Sequence, residues 1–312
     1  MKKNVVVFGG GTGMSTLLKG LKEFPINITS VVSVCDDGRS TGRLREEFHM
    51  PAVGDIRQVL VALSETEPLL EQVLNYRFQT SSDLNGHPVG NLMLTALSNI
   101  TGSLSDGIEG LSKVLNLKGE VLPFTEDNIT LVAEMDDGTV IEGEHHITDC
   151  HKKIKKVFYK ENPVICDKVI EAVNNADLII LSMGSLYTSI IPNLISKELI
   201  DVIDKSKAKI MYVCNMMTQP GETDDFKVSD HVHIINSYLG KRKLDVVVAH
   251  DGYIDEKLVE KYATEEQKDV VPLDQENLKE IEVISDNYVT VVNNVIRHDT
   301  IKLACSIFSY LI

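Results

Sequence analysis

Apolar residues recur along the chain in two alternating periods. Short unbroken runs, namely Val5–Phe8, Ile28–Val34, "ADLIILSM", "AKIMYVC" and "LDVVVA", have no polar face and read as buried strands. Between them lie segments with apolar residues every three or four positions: Met14–Glu23, Ile56–Leu63, Pro68–Phe78, Asn91–Ile100, Leu104–Leu117, Pro163–Asn174, Ser196–Lys205, Ser229–Leu239, Lys257–Tyr262 and His298–Tyr310. These read as helices. Strands alternating with helices predict a doubly wound, mostly parallel Rossmann-like α/β sheet with helices on both faces. No linker-like composition interrupts the pattern, so residues 1–312 read as one α/β domain. Only the middle differs. "ITLVAEMDDGTVIEGEHHIT" alternates apolar and polar residues around Asp137-Gly138, which predicts a β-hairpin insertion over residues 121–159. Strand alternation would put His145 and His146 on opposite faces, unable to share a metal. The closing "HKKIKKVFYK" reads as lysines guarding an edge strand against unwanted pairing.

Charge narrows the possible partners. Lys and Arg number 31 against 46 Asp and Glu, a net charge of −15 over 312 residues. A protein that tracks a phosphate backbone needs a basic face, so nucleic acid is not an expected partner. An anionic small molecule has to be held locally, by glycine amides, a helix N-terminus, a few arginines or a metal ion. No run of 18 apolar residues exists, so membrane insertion is not expected, and glycines end the first apolar run too early for a signal peptide. The five cysteines form no CxxC pair and read as free thiols, so a cytoplasmic location is expected. A homodimer is the default expectation for such a protein.

In a doubly wound sheet, ligands sit beyond the carboxyl ends of the strands, and the polar motifs fall there. The first strand runs into Gly9-Gly10-Gly11-Thr12-Gly13, followed by Met14, Ser15 and Thr16 at the start of a helix. Glycine lets the backbone approach an anion, and the free amides of the helix N-terminus face it. The dinucleotide fingerprint fails at its third glycine, where Thr16 stands, and no GK[ST] follows for a P-loop. The second strand ends at Asp36-Asp37. One of these acids is placed to take ribose hydroxyls, and the pair also suits Mg²⁺, which wants carboxylates and phosphate oxygens together. Arg39, Arg43 and Arg45 follow in what reads as a pliable glycine-containing loop, the composition of a metal-plus-phosphate site. Gly184-Ser185, Asn215 and His250-Asp251-Gly252 close three further strands. Asp55 starts a helix, with an N-cap as its simplest role. His87 and Asn91 flank the next helix start, with His87 a candidate proton carrier or phosphate donor.

With "GGGTGMSTLLKGL", "SVCDDGRSTGRLR", "PAVGDIRQVL", "NGHPVGNLMLTAL", "MGSLYTSIIPNLI" and "MTQPGET" in order, the chain resembles the CofD-like superfamily, and within it the bacterial gluconeogenesis factor (YvcK-like) branch. The superfamily includes 2-phospho-lactate transferases, which move a phospholactyl group from a nucleotide diphosphate donor with Mg²⁺. For a transferase, the resemblance implies that Asp36 or Asp37 is the acid near metal and acceptor. For the gluconeogenesis factor branch it implies a UDP-sugar-binding regulator of cell-wall synthesis and cell shape, with no established turnover and no tightly bound organic cofactor. It further implies ligand contacts from Gly9–Gly13, from Asn215, and from Arg297 in "NVIRHD", with Tyr262 stacking on uracil.

Overall fold

The computed structural model describes residues 2–292 and 295–312. Along the chain, β1 (Asn4–Gly9), β2 (Asn27–Val32) and β3 (Glu120–Pro123) precede a small set, β4 (Leu131–Met135), β5 (Val140–Glu142) and β6 (Ile154–Tyr159). Then come β7 (Leu178–Leu181), β8 (Lys209–Val213), β9 (Val246–His250) and β10 (Glu282–Asp286), and last β11 (Val289–Val292) and β12 (Val295–His298).

Seven strands form one parallel sheet in the order β10-β9-β8-β7-β1-β2-β3. The fold class is therefore the Rossmann-like one read from the apolar pattern. The unbroken runs are its interior: Val5, Val6, Val7 and Phe8 are at most 1% exposed, as are Leu178 to Leu181. Strands so apolar on both faces are stable only with helices covering both. From β1 the chain winds outward through β2 to β3, then returns to the other side of β1 and winds away from β7 to β10. β1 and β7 pair from Val5↔Leu178 to Phe8↔Leu181, and the strand order reverses between them. Such a switch point opens a crevice at the carboxyl ends of the strands.

The helices of the first half are α1 (Gly11–Leu21), α2 (Arg39–Phe48), α3 (Gly54–Leu63), α4 (Pro68–Asn75), α5 (Val89–Thr101), α6 (Leu104–Val114) and α7 (Glu144–Asp149). Two of them depart from the reading of the sequence. The segment after Asp37, expected as a pliable loop, is the helix α2. Its buried stripe is Ser40, Thr41, Leu44 and Arg45, mostly polar, so it carries too little apolar periodicity to register. Gly42 does not loosen this helix: it is the spot where the Asp37 carbonyl packs against it.

The second departure lies in the middle. β4 and β5 form an antiparallel hairpin through Asp136-Asp137-Gly138, and β6 pairs with the other side of β4. His145 and His146, however, lie on α7 rather than on a strand, and Val121–Pro123 belongs to the edge of the central sheet. Gly143, at φ +94°, turns the chain out of β5, and the Asp37 carboxylate accepts a hydrogen bond from His145 N at 2.8 Å at the start of α7. A tertiary partner therefore determines the helix here. The lysines of the basic cluster are spent across the small sheet: Lys155 and Lys156 reach Glu134 at 2.7 and 3.0 Å, Lys152 reaches Asp137 at 2.8 Å, and Lys160 reaches Glu142 at 2.6 Å. Such exposed pairs add little stability each, but they leave these lysines no call on a polyanion.

Arg45 ties the insertion to the sheet. It is buried, and its guanidinium donates to the carbonyls of Cys35 at 2.9 Å, Asp36 at 3.1 Å and Ile129 at 2.5 Å, and to Asn128 Oδ1 at 2.7 Å. Its donors hold backbone in place and are not offered to a phosphate. Arg45→Met keeps the bulk but leaves those buried carbonyls unpaired, so we expect a loss of about 2–4 kcal/mol. Urea unfolding followed by circular dichroism would measure it.

Candidate functional site

At the crevice between β1 and β7 lies a cleft of about 600 Å³. Gly10, Gly11, Thr12, Gly13 and Thr16 form one wall, and Met183, Gly184, Ser185 and Ser189 face them from the exit of β7. Asn215 to Gln219 supply the floor after β8, while Tyr262, Glu266, Lys268 and Val295–His298 close the far side. The volume is that of an ordinary small-ligand site.

The glycine loop is built by close approach. α1 starts at Gly11, three residues before the Met14 start read from the apolar spacing, and Gly11 adopts φ +60° at no steric cost. Gly13 lies against the Met183 carbonyl, in space a Cβ would need. The N-cap, Gly10, has no side chain with which to satisfy the first amides; the Asp55 carboxyl takes the Gly11 amide, and the amides that follow are left for the cleft. Asn215 clamps the opposite wall. Its Oδ1 accepts from Gly184 N at 2.9 Å and its Nδ2 donates to Gly184 O at 2.5 Å. It thus shapes the site by holding backbone.

The remaining sequence candidates divide into three groups. Gly9, Met14 and Ser15 stand behind the loop: Gly9 makes room for Ser182, Met14 is fully buried, and Ser15 is 8% exposed. Arg39 and Arg43 are exposed on α2, with Arg43 reaching the Asp83 carbonyl at 3.4 Å, and neither lines the cleft. His87 and Asn91 are buried around Ser40: His87 Nδ1 is 2.8 Å from its Oγ, and Asn91 Nδ2 donates to it at 3.3 Å. Asn91 Oδ1 in turn accepts from Arg57 Nε at 3.1 Å, and Arg57 also bonds Asn75. Burial, then the nearby Arg43, lower the His87 pKa. This polar knot ties α2, α3 and α5 together behind the site.

Acids gather on the other side of the glycine loop. Asp55 is not the cap of α3, because Val53 holds that position. Its carboxyl lies under Gly10, where a side chain would collide with it. Asp36 Oδ1 accepts from Gly38 N at 2.9 Å, and its Oδ2 points at Gly54 beside it. Asp37 is turned away, committed to α7. In its place stands Glu144 from the insertion, whose charge the sequence could not place there. Burial first, then the charge of Asp36, push Asp55 up to about 7. Glu144 rises to about 8 for the same two reasons, with Asp55 and Asp37 adding to it. Among the described residues, no three carboxylate, histidine or cysteine groups come close enough to hold one ion. A hard cation here would rest on Asp36 and Asp55 and complete its shell with ligand oxygens and water, which is the usual habit of Mg²⁺.

Cations sit at the cleft itself. Lys268 is paired with Glu266 at 2.8 Å, whereas Arg297 is exposed and has no carboxylate partner among the described residues. Asn294, the first residue of "NVIRHD", lies outside the described residues. His298 is driven down to about 4, chiefly by burial, and so stands neutral at the cleft. Tyr262 is 7% exposed, and its hydroxyl accepts from Ile296 N at 3.0 Å, fastening β12 over the site. Thr218 and His298 lie within the quoted segments "MTQPGET" and "NVIRHD" but were not singled out there, and Lys268 has no motif around it; the sheet order brings all three to the cleft.

The comparisons with known proteins agree on one family. Residues 5–289 match the family model of 2-phospho-L-lactate transferase CofD. The gluconeogenesis factor of Halalkalibacterium halodurans is 46% identical over 307 residues, covering 97% of this chain and 95% of that protein. That of Bacillus subtilis is 45% identical, covering 97% and 96%. A crystal structure of a Bacillus halodurans protein superposes with a TM-score of 0.96 at 45% identity, over 99% of this chain and 100% of that one.

The raised carboxyls make stability depend on pH. Below about 4, Asp55 is protonated in both folded and unfolded chains. Above that, the unfolded chain ionises freely while the folded one resists, up to about 7 at Asp55 and about 8 at Glu144, so stability falls across this window and the part due to Asp55 levels off above 7. Asp55→Asn, in chelator-containing buffer, should remove much of that slope and stabilise the fold at pH 7.5 by on the order of 1–3 kcal/mol. Thermal melts from pH 4.5 to 8 would test this. An unchanged slope would mean that Asp55 is not the titrating group.

Proposed function

The chain belongs to the CofD family, among its gluconeogenesis factors, and we propose from that premise that it binds a nucleotide diphosphate, specifically a UDP-sugar, and acts as a regulatory protein in cell-wall synthesis during gluconeogenic growth. One observation carries this reading: the N-terminus of α1 and the guanidinium of Arg297, which has no carboxylate partner among the described residues, face the same 600 Å³ cleft. Oriented amides and one free cation are what a diphosphate needs, and they are concentrated here in a chain of net charge −15. On this reading the diphosphate rests on Gly10–Gly13, Arg297 pairs with it, and the uracil lies by the wall that Tyr262 holds.

A second reading is favoured by the carboxyls of Asp36, Asp55 and Glu144 beside the same loop. In an active transferase they would border the acceptor and, with Mg²⁺, the phosphate oxygens. The ion would neutralise charge developing on the diphosphate. Asp36 and Asp55 would hold it and the amides of α1 would orient the donor.

Calorimetric titration with UDP-N-acetylglucosamine, UDP and NAD, each with and without Mg²⁺, separates the readings. We expect micromolar binding of the UDP-sugar and none of NAD. Arg297→Ala should weaken it by about 10- to 100-fold, the loss of a charge-assisted phosphate contact. Absence of UDP-sugar binding, with Mg²⁺-dependent binding of another nucleotide diphosphate, would return the protein to the transferases.

A further inference from the structure

The segment "MTQPGET" has so far supplied only part of the floor of the cleft. Its last acid, Glu222, is 4% exposed and has no cation partner among the described residues. Instead, Glu222 Oε2 accepts hydrogen bonds from Ser185 Oγ at 2.5 Å and from Tyr187 N at 3.3 Å. Ser185 lines the cleft beside the glycine loop. Its oxygen is also 2.6 Å from Thr188 Oγ1 and accepts from Thr188 N at 3.1 Å.

Counting protons gives the state of this cluster. The single proton of Ser185 goes to Glu222, so the contact with Thr188 uses the proton of the threonine. Ser185 Oγ then donates once and accepts twice, and nothing is left for a ligand. An anion entering the cleft would meet a committed hydroxyl backed by a buried negative charge. A neutral Glu222 removes both obstacles. Its own O–H can donate to Ser185 Oγ in place of the Thr188 hydroxyl, which turns to Glu144 beside it, and the serine proton turns to the ligand.

We propose that Glu222 is the proton-linked residue of the cleft: binding of a diphosphate is accompanied by uptake of one proton from solvent onto Glu222, which releases the Ser185 hydroxyl to donate to a phosphate oxygen. No covalent bond other than that O–H is formed. This deepens the nucleotide-diphosphate reading and rests on it. The groups that bear on Glu222 offer no substitute for the proton. The neighbouring turn supplies the Tyr187 phenol, and α7 supplies Glu144 next to Thr188. On its own loop Asp224 accepts from Gly221 N at 2.8 Å. The far side of the cleft supplies Arg297, His298 and the Lys268–Glu266 pair. Burial already raises Glu222 above the ordinary carboxylate range. A bound anion raises it further, so affinity falls with rising pH between the free and bound values, by up to about tenfold per pH unit.

The test is calorimetric titration of the full chain with UDP-N-acetylglucosamine from pH 5.5 to 8, in paired buffers of different ionisation enthalpy. The diphosphate of this ligand has no group that titrates near neutrality, so net uptake reports the protein. We expect fractional proton uptake in the wild type. Glu222→Gln, whose amide donates to Ser185 at every pH, should bind within about threefold of the wild type at low pH and lose the larger part of uptake and slope, the remainder belonging to Asp55 and Glu144 behind the glycine loop. Zero uptake by the wild type across the range would overturn the proposal, whether or not the variant folds. Equal uptake in the variant would overturn it too. If the UDP-sugar gives no heat, inorganic pyrophosphate is titrated into both proteins, where the ligand's own protons cancel in the difference. A difference there would sustain the proton linkage while the UDP-sugar reading falls. No heat from either probe would overturn both.

Discussion

The fit of Gly13 against the Met183 carbonyl is the constraint on which the site depends. It joins the loop leaving β1 to the loop leaving β7 at the one place in the sheet where the chain reverses its direction of winding. Backbone this close leaves no room for a Cβ, and it aims the N-terminus of α1 into the crevice rather than past it. Asn215 then fixes the opposite loop through both polar groups of Gly184. The walls of the cleft are therefore largely backbone, held by backbone. Such a surface is preorganised and offers little that a ligand must rearrange.

Charge is distributed unevenly around that surface. The chain is strongly acidic, yet the acids nearest the glycine loop are those least willing to ionise, because burial and mutual repulsion raise Asp55 and Glu144 toward neutrality. His298 is kept neutral by the same desolvation. Among the described residues, no carboxylate cancels the charge of Arg297. The electrostatic character of the cleft thus comes from which groups are prevented from charging as much as from which are charged.

The insertion contributes to the site and not only to the surface. Arg45 holds its entry at Asn128 and Ile129, Asp37 holds the start of α7, and α7 brings Glu144 to the acids behind the loop. At the same time Gly221, in the loop that carries Glu222, packs against the backbone of His151. One added unit therefore touches both sides of the glycine loop.

Composition and periodicity alone were enough for the five inner strands of the central sheet, but not for its edges, β3 and β10. Unbroken apolar runs can only be interior strands, and their alternation with amphipathic segments admits a parallel sheet with its chemistry at the strand ends. Gly10–Gly13, Gly184, Ser185 and Asn215 were legible for that reason, Tyr262 and Arg297 only through the family resemblance, and the sheet order gathers them at one cleft. Local pattern could not reveal α2, whose buried face is polar, or α7, whose first amide is satisfied by an acid more than a hundred residues away. Nor could it separate Asp36, which faces the loop, from its neighbour Asp37, or replace Asp37 with Glu144. Those assignments depend on which surfaces meet, and burial, unlike periodicity, is not a property of a segment by itself.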